Sequence, residues 1–147
     1  MILLQDCREK KGAHTNIEKY CKSHGIEIKR VRLNVGDYMF PNGKVSVDIK
    51  SGGLSELASD LHRDRLEFNK KYKKCYHDNI RLIVLVEQPI TKMSEILSWK
   101  SKHSRISGKY LFDMMYDLKL SYGVEFKFCS KEETASMIIE LLSESKC

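Results

Sequence analysis

Residues 36–50 read Gly-Asp-Tyr-Met-Phe-Pro-Asn-Gly-Lys-Val-Ser-Val-Asp-Ile-Lys. The Asn42-Gly43 pair predicts a two-residue hairpin turn, because both residues tolerate positive φ. Counting outward from that turn places Tyr38 opposite Val47 and Asp37 opposite Asp48, and opposed side chains share a face of a hairpin. One face is then apolar and the other polar: Tyr38, Phe40, Val45, Val47 and Ile49 against Asp37, Met39, Ser46, Asp48 and Lys50.

The polar face of this hairpin indicates a metal site. Two opposed carboxylates repel each other, and a divalent cation between them would reverse the sign of that interaction. Hard cations such as Mg²⁺ take carboxylate oxygens and keep several waters. Lys50, two residues beyond Asp48, could orient a water or stabilise charge on a phosphate. The alternative is a solvated outer face whose charges have no function.

The motifs in this stretch resemble those of a known nuclease family. Residues 36–38 read G-D-Y, residues 47–50 read V-D-I-K, and residues 6–9 read D-C-R-E. Together and in this order they are similar to the D-x-R-E, G-D-Y and V-E-R-K motifs of the nuclease domain of the XPF-type excision-repair family. That family is a branch of the PD-(D/E)xK nucleases, and the similarity runs from residue 2 to about residue 142. Asp48 stands where the family has glutamate, and Ile49 where it has arginine.

The resemblance implies a restriction-endonuclease-like fold and Mg²⁺- or Mn²⁺-dependent hydrolysis of DNA phosphodiester bonds. It implies that Asp37 and Asp48 hold the metal and that Lys50 positions the water or the scissile phosphate. Glu9 and Asp6 would be further metal ligands or water-orienting groups. Branched DNA, such as flaps, forks or junctions, is the expected substrate.

The family also carries an acidic residue, an arginine and a glutamine on the helix that follows. The nearest equivalents in this chain are Glu56, Arg65 and Asn69. Gly52-Gly53 makes the spacing to Glu56 two residues longer than the family pattern.

Composition is that of a soluble globular protein. The chain has 147 residues, enough for one domain with a real core, and 26 basic residues against 20 acidic ones give a net charge of +6. A modest positive excess is compatible with a nucleic-acid partner. The five cysteines are scattered, which predicts that their thiols are reduced. The protein is therefore expected in the cytoplasm, associated with a nucleoid or nucleus, and is not expected to be secreted. No apolar stretch is long enough to span a membrane.

Hydrophobic periodicity predicts the element order β, α, β-hairpin region, α, β, α, α, β, α, and so a single α/β domain with a mixed sheet flanked by helices. Thr15 and Glu18 form a capping box that predicts a helix to about His24. One long helix is predicted from Leu54 to about Tyr76. Residues 80–86 predict a central strand that is buried on both faces.

Basic residues collect on the predicted long helix and in the loop at 99–109. A basic helix is commonly just a solvated helix, but here it follows directly on the predicted metal site. We therefore predict that it binds the DNA backbone together with the loop. The residues concerned are Arg63, Arg65, Lys70, Lys73, Lys100, Lys102 and Arg105.

Two other functions are compatible with the sequence. The first is a DNA-binding or scaffolding module whose nuclease site has decayed, which the replacements Asp48 and Ile49 would favour. The second is a Holliday-junction resolvase on a related fold. The helix-hairpin-helix module that commonly follows in relatives is expected to be absent. Preference for one DNA structure would then come from a homodimer, a partner protein or the basic loop.

Overall fold

The computed structural model describes residues 1–8, 14–63, 65–102 and 105–144. Six strands and six helices follow one another in these parts of the chain. They are β1 (Ile2–Asp6), α1 (Thr15–Ser23), β2 (Glu27–Val31), β3 (Tyr38–Met39), β4 (Val45–Lys50), α2 (Gly53–Arg63), α3 (Arg65–His77), β5 (Arg81–Glu87), α4 (Met93–Leu97), α5 (Gly108–Tyr122), β6 (Glu125–Cys129) and α6 (Thr134–Ser143).

The six strands form one mixed sheet in the order β2-β1-β3-β4-β5-β6. β1 is parallel to β2, and β4, β5 and β6 are parallel to one another, whereas β3 is antiparallel to both of its neighbours. Since β1 and β4 both run against β3, they end at the same edge of the sheet. Asp6, Lys50 and Glu87 are the last residues of β1, β4 and β5, so the sheet gathers three charged residues at one edge. The α/β prediction is confirmed.

Helices cover both faces of the sheet. One apolar cluster joins α2, α3, α4 and α5 to Leu82, Val84 and Val86 of β5. The other joins α1 and α6 to the apolar side of the hairpin and to Ile83 and Leu85 of β5. β5 contributes to both clusters, as predicted for a strand buried on both faces. None of the helices formed by the described residues combines the length and apolar character needed to cross a bilayer.

The hairpin has the predicted register but a different turn. Tyr38 pairs with Val47 and Met39 with Ser46, as counted from the sequence. The turn, however, is closed by a bond from the Gly43 N–H to the Phe40 carbonyl at 2.9 Å, one residue earlier than predicted. Only Asn42 of the predicted pair has positive φ, at 59°. Pro41 explains the shift, because its fixed φ suits the position before Asn42 in a β-turn.

The predicted long helix is seen as α2 and α3, and residue 64 between them lies outside the described residues. One helix prediction is corrected. The N-cap of α1 is His14 and carries no side-chain capping bond, so the predicted Thr15 cap is wrong. A capping box is found instead before α6, where the Glu133 carboxylate accepts hydrogen bonds from the Ser130 N–H and hydroxyl at 3.1 and 2.7 Å.

Candidate active site

The site begins with Gly36, which brings the chain against the middle of β4. Gly36 has φ +75°, and a Cβ built on it would lie 2.0 Å from Ser46 Oγ. Ser46 is completely buried, and its hydroxyl donates to the Val35 carbonyl at 2.8 Å, so it is not free to move aside. Both the left-handed backbone and the close approach therefore require glycine directly before Asp37.

Gly36→Ala is expected to lower the free energy of unfolding by about 3 kcal/mol, from left-handed strain and a steric clash together. The matched control is Gly25→Ala, because Gly25 has φ +68° but nothing within 4 Å of a built Cβ. That variant should lose only the strain, about 1 kcal/mol. Urea unfolding of both proteins measures the difference. Equal losses would mean that Ser46 does not restrict position 36.

Asp37 is fixed beside β4 by two hydrogen bonds. Its backbone N–H donates to the Val47 carbonyl at 2.8 Å, and its Oδ2 accepts from the Ile49 N–H at 2.7 Å. The Asp37 side chain thus accepts a hydrogen bond from a backbone N–H of β4, just beyond the last residue pair between β3 and β4. The same side chain also interacts with that of Asp48 and is one of the groups that lower the pKa of the Asp48 carboxyl. The two carboxylates are adjacent, as the register predicts.

Asp48 and Lys50 lie in a cluster of charges between β4 and the helices above it. Lys50 Nζ donates to Asp60 Oδ2 of α2 at 2.8 Å and lies 3.3 Å from Asp48 Oδ2. Lys71 Nζ of α3 lies 3.9 Å from the same Asp48 oxygen. Both ammonium groups lie over the ring of Phe68, at 5.0 and 5.5 Å from its centroid. The arrangement holds two cations against one buried carboxylate.

These cations decide the charge state of the site. Burial alone would raise the pKa of the Asp48 carboxyl, but Lys71 and Lys50 hold it below its ordinary value. Burial alone would lower the pKa of the Lys50 ammonium, but Asp48 and Asp60 raise it above its ordinary value. Asp48 is thus an anion and Lys50 a cation at neutral pH. The expectation that repulsion between the two aspartates dominates is corrected, because lysines neutralise Asp48.

The polar face of the hairpin is not a solvated surface. Asp37, Asp48 and Lys50 expose only 6%, 5% and 6% of their surface. Ionised groups are rarely buried unless they are paired, and their burial carries a cost in solvation. The alternative in which this face is exposed to solvent is therefore wrong.

A cleft opens beside Asp37. Asp6, Arg8 and Asn34 line one part of it, and Lys70, Lys71 and Lys74 of α3 line another. The lining thus combines Asp6 and Asp37 with Glu67 and the three lysines of α3. A lining of carboxylates and ammonium groups suits a metal ion and a phosphate backbone.

The predicted acidic partners differ in position. Asp6 lines the cleft, but its carboxylate accepts from Arg8 Nε at 2.9 Å and from the Leu33 N–H at 3.1 Å, so both its oxygens are engaged. It is not brought into the Asp48 cluster. Glu9 lies outside the described residues. Glu56 accepts from the Gly52 N–H at 3.1 Å, and its charge contributes to raising the pKa of Lys50 after those of Asp48 and Asp60.

The seven residues predicted to bind DNA do not share one surface: one lines the cleft, and the other six are exposed outside it. Lys70 lines the cleft, whereas Lys73 is exposed on the same helix but does not line it. Arg105 lines a separate pocket together with His62, near the end of α2. The remaining four are exposed and do not line the cleft: Arg63, Arg65, Lys100 and Lys102.

The residues that are present fit a divalent cation with few protein ligands. Within the described ranges, no group of three or more acidic, histidine or cysteine side chains is arranged to hold a metal. Mg²⁺ is commonly bound through one or two carboxylates, with waters and substrate phosphate completing the shell. Asp48 Oδ2 is buried and, apart from its ion pairs with Lys50 and Lys71, accepts no hydrogen bond of good geometry, so it is the oxygen that would ligate a cation. Asp37 is the neighbouring carboxylate.

Sequence reasoning missed Asp60 and Lys71 as members of the cluster. Asp60 lies three residues after the buried Leu57, and Lys71 three residues after Phe68, so both flank the apolar stripes of their helices. A charged residue at the edge of a helix's apolar stripe was the sequence signal that could have indicated a contact with the sheet. What it contacts depends on how α2 and α3 pack on β4.

The replacement of the family arginine by Ile49 does not touch the cluster. Ile49 is 6% exposed and packs with α1 and α6 on the opposite face of the sheet from Asp48 and Lys50. An apolar side chain is well suited to that core. This departure from the family motif therefore does not argue for a decayed site.

Comparisons with known proteins agree with this fold. XPF from Aeropyrum pernix superposes with a TM-score of 0.73 at 21% identity, covering 100% of this chain and 62% of that one. XPF from Aeropyrum pernix in complex with DNA superposes with a TM-score of 0.70 at 21% identity, covering 98% and 64%. The chain thus spans less than two thirds of either relative, and no curated protein sequence matches it significantly. Because the ERCC4 domain matches residues 5–141, nearly the whole sequence, the chain belongs to the ERCC4 domain family of DNA-repair nucleases.

Proposed function

We propose that this protein is a metal-dependent endonuclease that hydrolyses phosphodiester bonds in branched DNA. The observation that carries the proposal is the buried pair of Asp48 and Lys50 next to Asp37 and Lys71, which themselves line a cleft together with Lys70 and Lys74. Membership of a nuclease family that generally depends on metals supports it. Asp48 in place of glutamate keeps the carboxylate, and Ile49 in place of arginine lies on the opposite face of the sheet from Asp48 and Lys50.

Each residue of the cluster has a distinct role in this proposal. Asp37 and Asp48 hold Mg²⁺ or Mn²⁺, which when bound stabilises charge on the phosphate and makes water a better nucleophile. The Lys50 ammonium orients the attacking water or stabilises the negative charge of the scissile phosphate. Asp60 holds that ammonium in place at 2.8 Å. Lys71, half-exposed at the cleft, contacts the neighbouring phosphate.

We propose that the DNA backbone runs along the cleft, against Lys70, Lys71 and Lys74. The relative solved with DNA shares this fold, and the net charge of +6 favours a polyanion. The loop with Lys100, Lys102 and Arg105 would contact a second part of a branched substrate, and a homodimer or a partner protein would complete the surface.

Affinity for DNA is expected to fall steeply with salt, because each lysine that meets a phosphate releases a counterion. Changing Lys70 and Lys74 together to glutamine should reduce the slope of log K against log salt by about 0.9 for each lysine that no longer meets a phosphate. Lys73→Gln is the matched control, since Lys73 lies on the same helix but not in the cleft. Changing Lys102 and Arg105 together tests the loop. Fluorescence anisotropy from low to physiological salt measures all four proteins.

Equal slopes in the parent and the cleft variant would contradict this path of the DNA. A smaller salt slope in Lys73→Gln, but not in the cleft variant, would place the DNA backbone on the outer side of α3. An affinity that is indifferent to salt would exclude the electrostatic groove altogether.

The cleavage test uses labelled duplex, flap and four-way junction DNA with Mn²⁺ or with EDTA. Cutting of the flap or fork in Mn²⁺ alone is the expected result. Preferential, symmetric cutting of the four-way junction would identify a resolvase instead. Binding without cutting of any substrate would leave a scaffolding module and reject the enzyme.

A further inference from the structure

Tyr72 lies next to the cluster but has no role in the function proposed above. It is completely buried on α3, and its ring packs against that of Phe68 with 5.7 Å between centroids. Phe68 in turn lies beneath the ammonium group of Lys50. Burial, together with the negative charges of Asp48 and Asp60, raises the pKa of the Tyr72 hydroxyl. The hydroxyl is therefore protonated and can donate a hydrogen bond.

Two buried side-chain oxygens have no hydrogen-bond partner within the described part of the chain. They are Tyr72 Oη and Asp48 Oδ2. Leaving such a group unpaired costs about 1–3 kcal/mol, so buried polar groups are almost always satisfied. Here one is a donor and the other an acceptor. Tyr72 directly follows Lys71, whose Nζ lies 3.9 Å from Asp48 Oδ2, and its ring packs on Phe68, which lies beneath Lys50. One water molecule between them would satisfy both, since a buried water needs two to four polar partners.

We propose that Tyr72 is a positioning residue, which donates through one water molecule to Asp48 Oδ2 and fixes the orientation of that carboxylate toward the metal. Lys50 and Lys71 lie 3.3 and 3.9 Å from the same oxygen. A hydrogen bond from Tyr72 would add a further directional restraint on that oxygen, from the side of α3. Partners of this kind orient metal ligands and tune the affinity of the metal. The inference rests on the proposed metal site.

Tyr72→Phe removes only the hydroxyl, and Tyr76→Phe is its matched control one turn further along α3, where the side chain is 58% exposed. We expect Tyr72→Phe to bind Mn²⁺ about tenfold more weakly than the parent and Tyr76→Phe to bind it as the parent does. Isothermal titration of metal-free protein with MnCl₂ gives the three dissociation constants without a cleavage assay.

Melting temperatures in EDTA test the hydrogen bond between Tyr72 and Asp48 in the absence of metal. Melting temperatures of the parent, Tyr72→Phe, Asp48→Ala and the double variant form a cycle that isolates the interaction between the two residues. Tyr72→Phe should lower the melting temperature of the parent but not that of Asp48→Ala.

The outcomes separate the two proposals. Should the parent bind no Mn²⁺ while the cycle shows coupling, the hydrogen bond stands and the proposed metal site fails. If Tyr72→Phe binds Mn²⁺ as tightly as the parent and melts at the same or a higher temperature in EDTA, the hydroxyl is idle and the inference is overturned.

Discussion

Asp48→Asn is expected to abolish metal-dependent cleavage, with a loss of roughly 10³-fold or more, because the variant lacks a carboxylate for the cation. It should also lower the free energy of unfolding in EDTA by about 2 kcal/mol. Breaking a buried ion pair typically costs about 3–5 kcal/mol, and Lys50 keeps its bond to Asp60 in this variant. Adding millimolar Mn²⁺ should raise the melting temperature of the parent but not that of the variant.

Asp113→Asn is the matched control, since Asp113 pairs with Lys109 at 3.0 Å on the surface. Its stability should change by less than about 0.5 kcal/mol, and its cleavage and Mn²⁺ response should be those of the parent. An Asp48→Asn protein that is more stable than the parent in EDTA would mean that repulsion from Asp37 outweighs the pairing with Lys50 and Lys71. Cleavage that survives the substitution would exclude Asp48 as a metal ligand.

Lys50→Met is expected to lower stability at pH 7 by about 3 kcal/mol, because Asp48 and Asp60 both lose the ammonium between them. Methionine keeps a long apolar side chain over Phe68, so the loss reflects the charge and not the packing. Cleavage should fall by about 10²- to 10³-fold, the usual effect of removing one group that stabilises a transition state. DNA binding should change much less.

The difference between the parent and Lys50→Met should depend on pH. The folded-state pKa of the Asp48 carboxyl lies below its ordinary value. Its ion pairs therefore stabilise the fold fully above the unfolded-state pKa of about 4, and this contribution is lost as pH falls through the folded-state pKa. The stability gap should be full at pH 7 and should narrow below about pH 4. Urea unfolding at a series of pH values measures it, with Lys109→Met as the surface control; a constant gap would reject the pairing.

Local sequence signals determined the part of the site that lies on the hairpin. The alternation of apolar and polar residues fixed the register at Tyr38 and Val47, and it did so although the turn was placed one residue late. A shift of one residue would have turned every side chain to the other face, which the buried apolar set does not permit. The adjacency of Asp37 and Asp48 follows from the same alternation.

The rest of the site depends on contacts between elements that are distant in sequence. Asp60 reaches Lys50, and Lys71 reaches Asp48, only because α2 and α3 pack on the polar face of β4. No local pattern encodes that packing, so these residues were missed and the burial of the polar face was not foreseen. The hydrogen bond between Asp6 and Leu33 arises for the same reason, since it joins two segments 27 residues apart.

The site is built on an interior strand, with consequences for its motions. All six residues of β4 are buried, and the strand is hydrogen-bonded to β3 on one side and β5 on the other. The amide protons of Asp48 and Lys50 should therefore exchange with solvent only when the sheet opens as a whole, at nearly the full free energy of unfolding. Loss of the site on heating and loss of the fold would then be a single cooperative event, so that no partly open form with a damaged site accumulates.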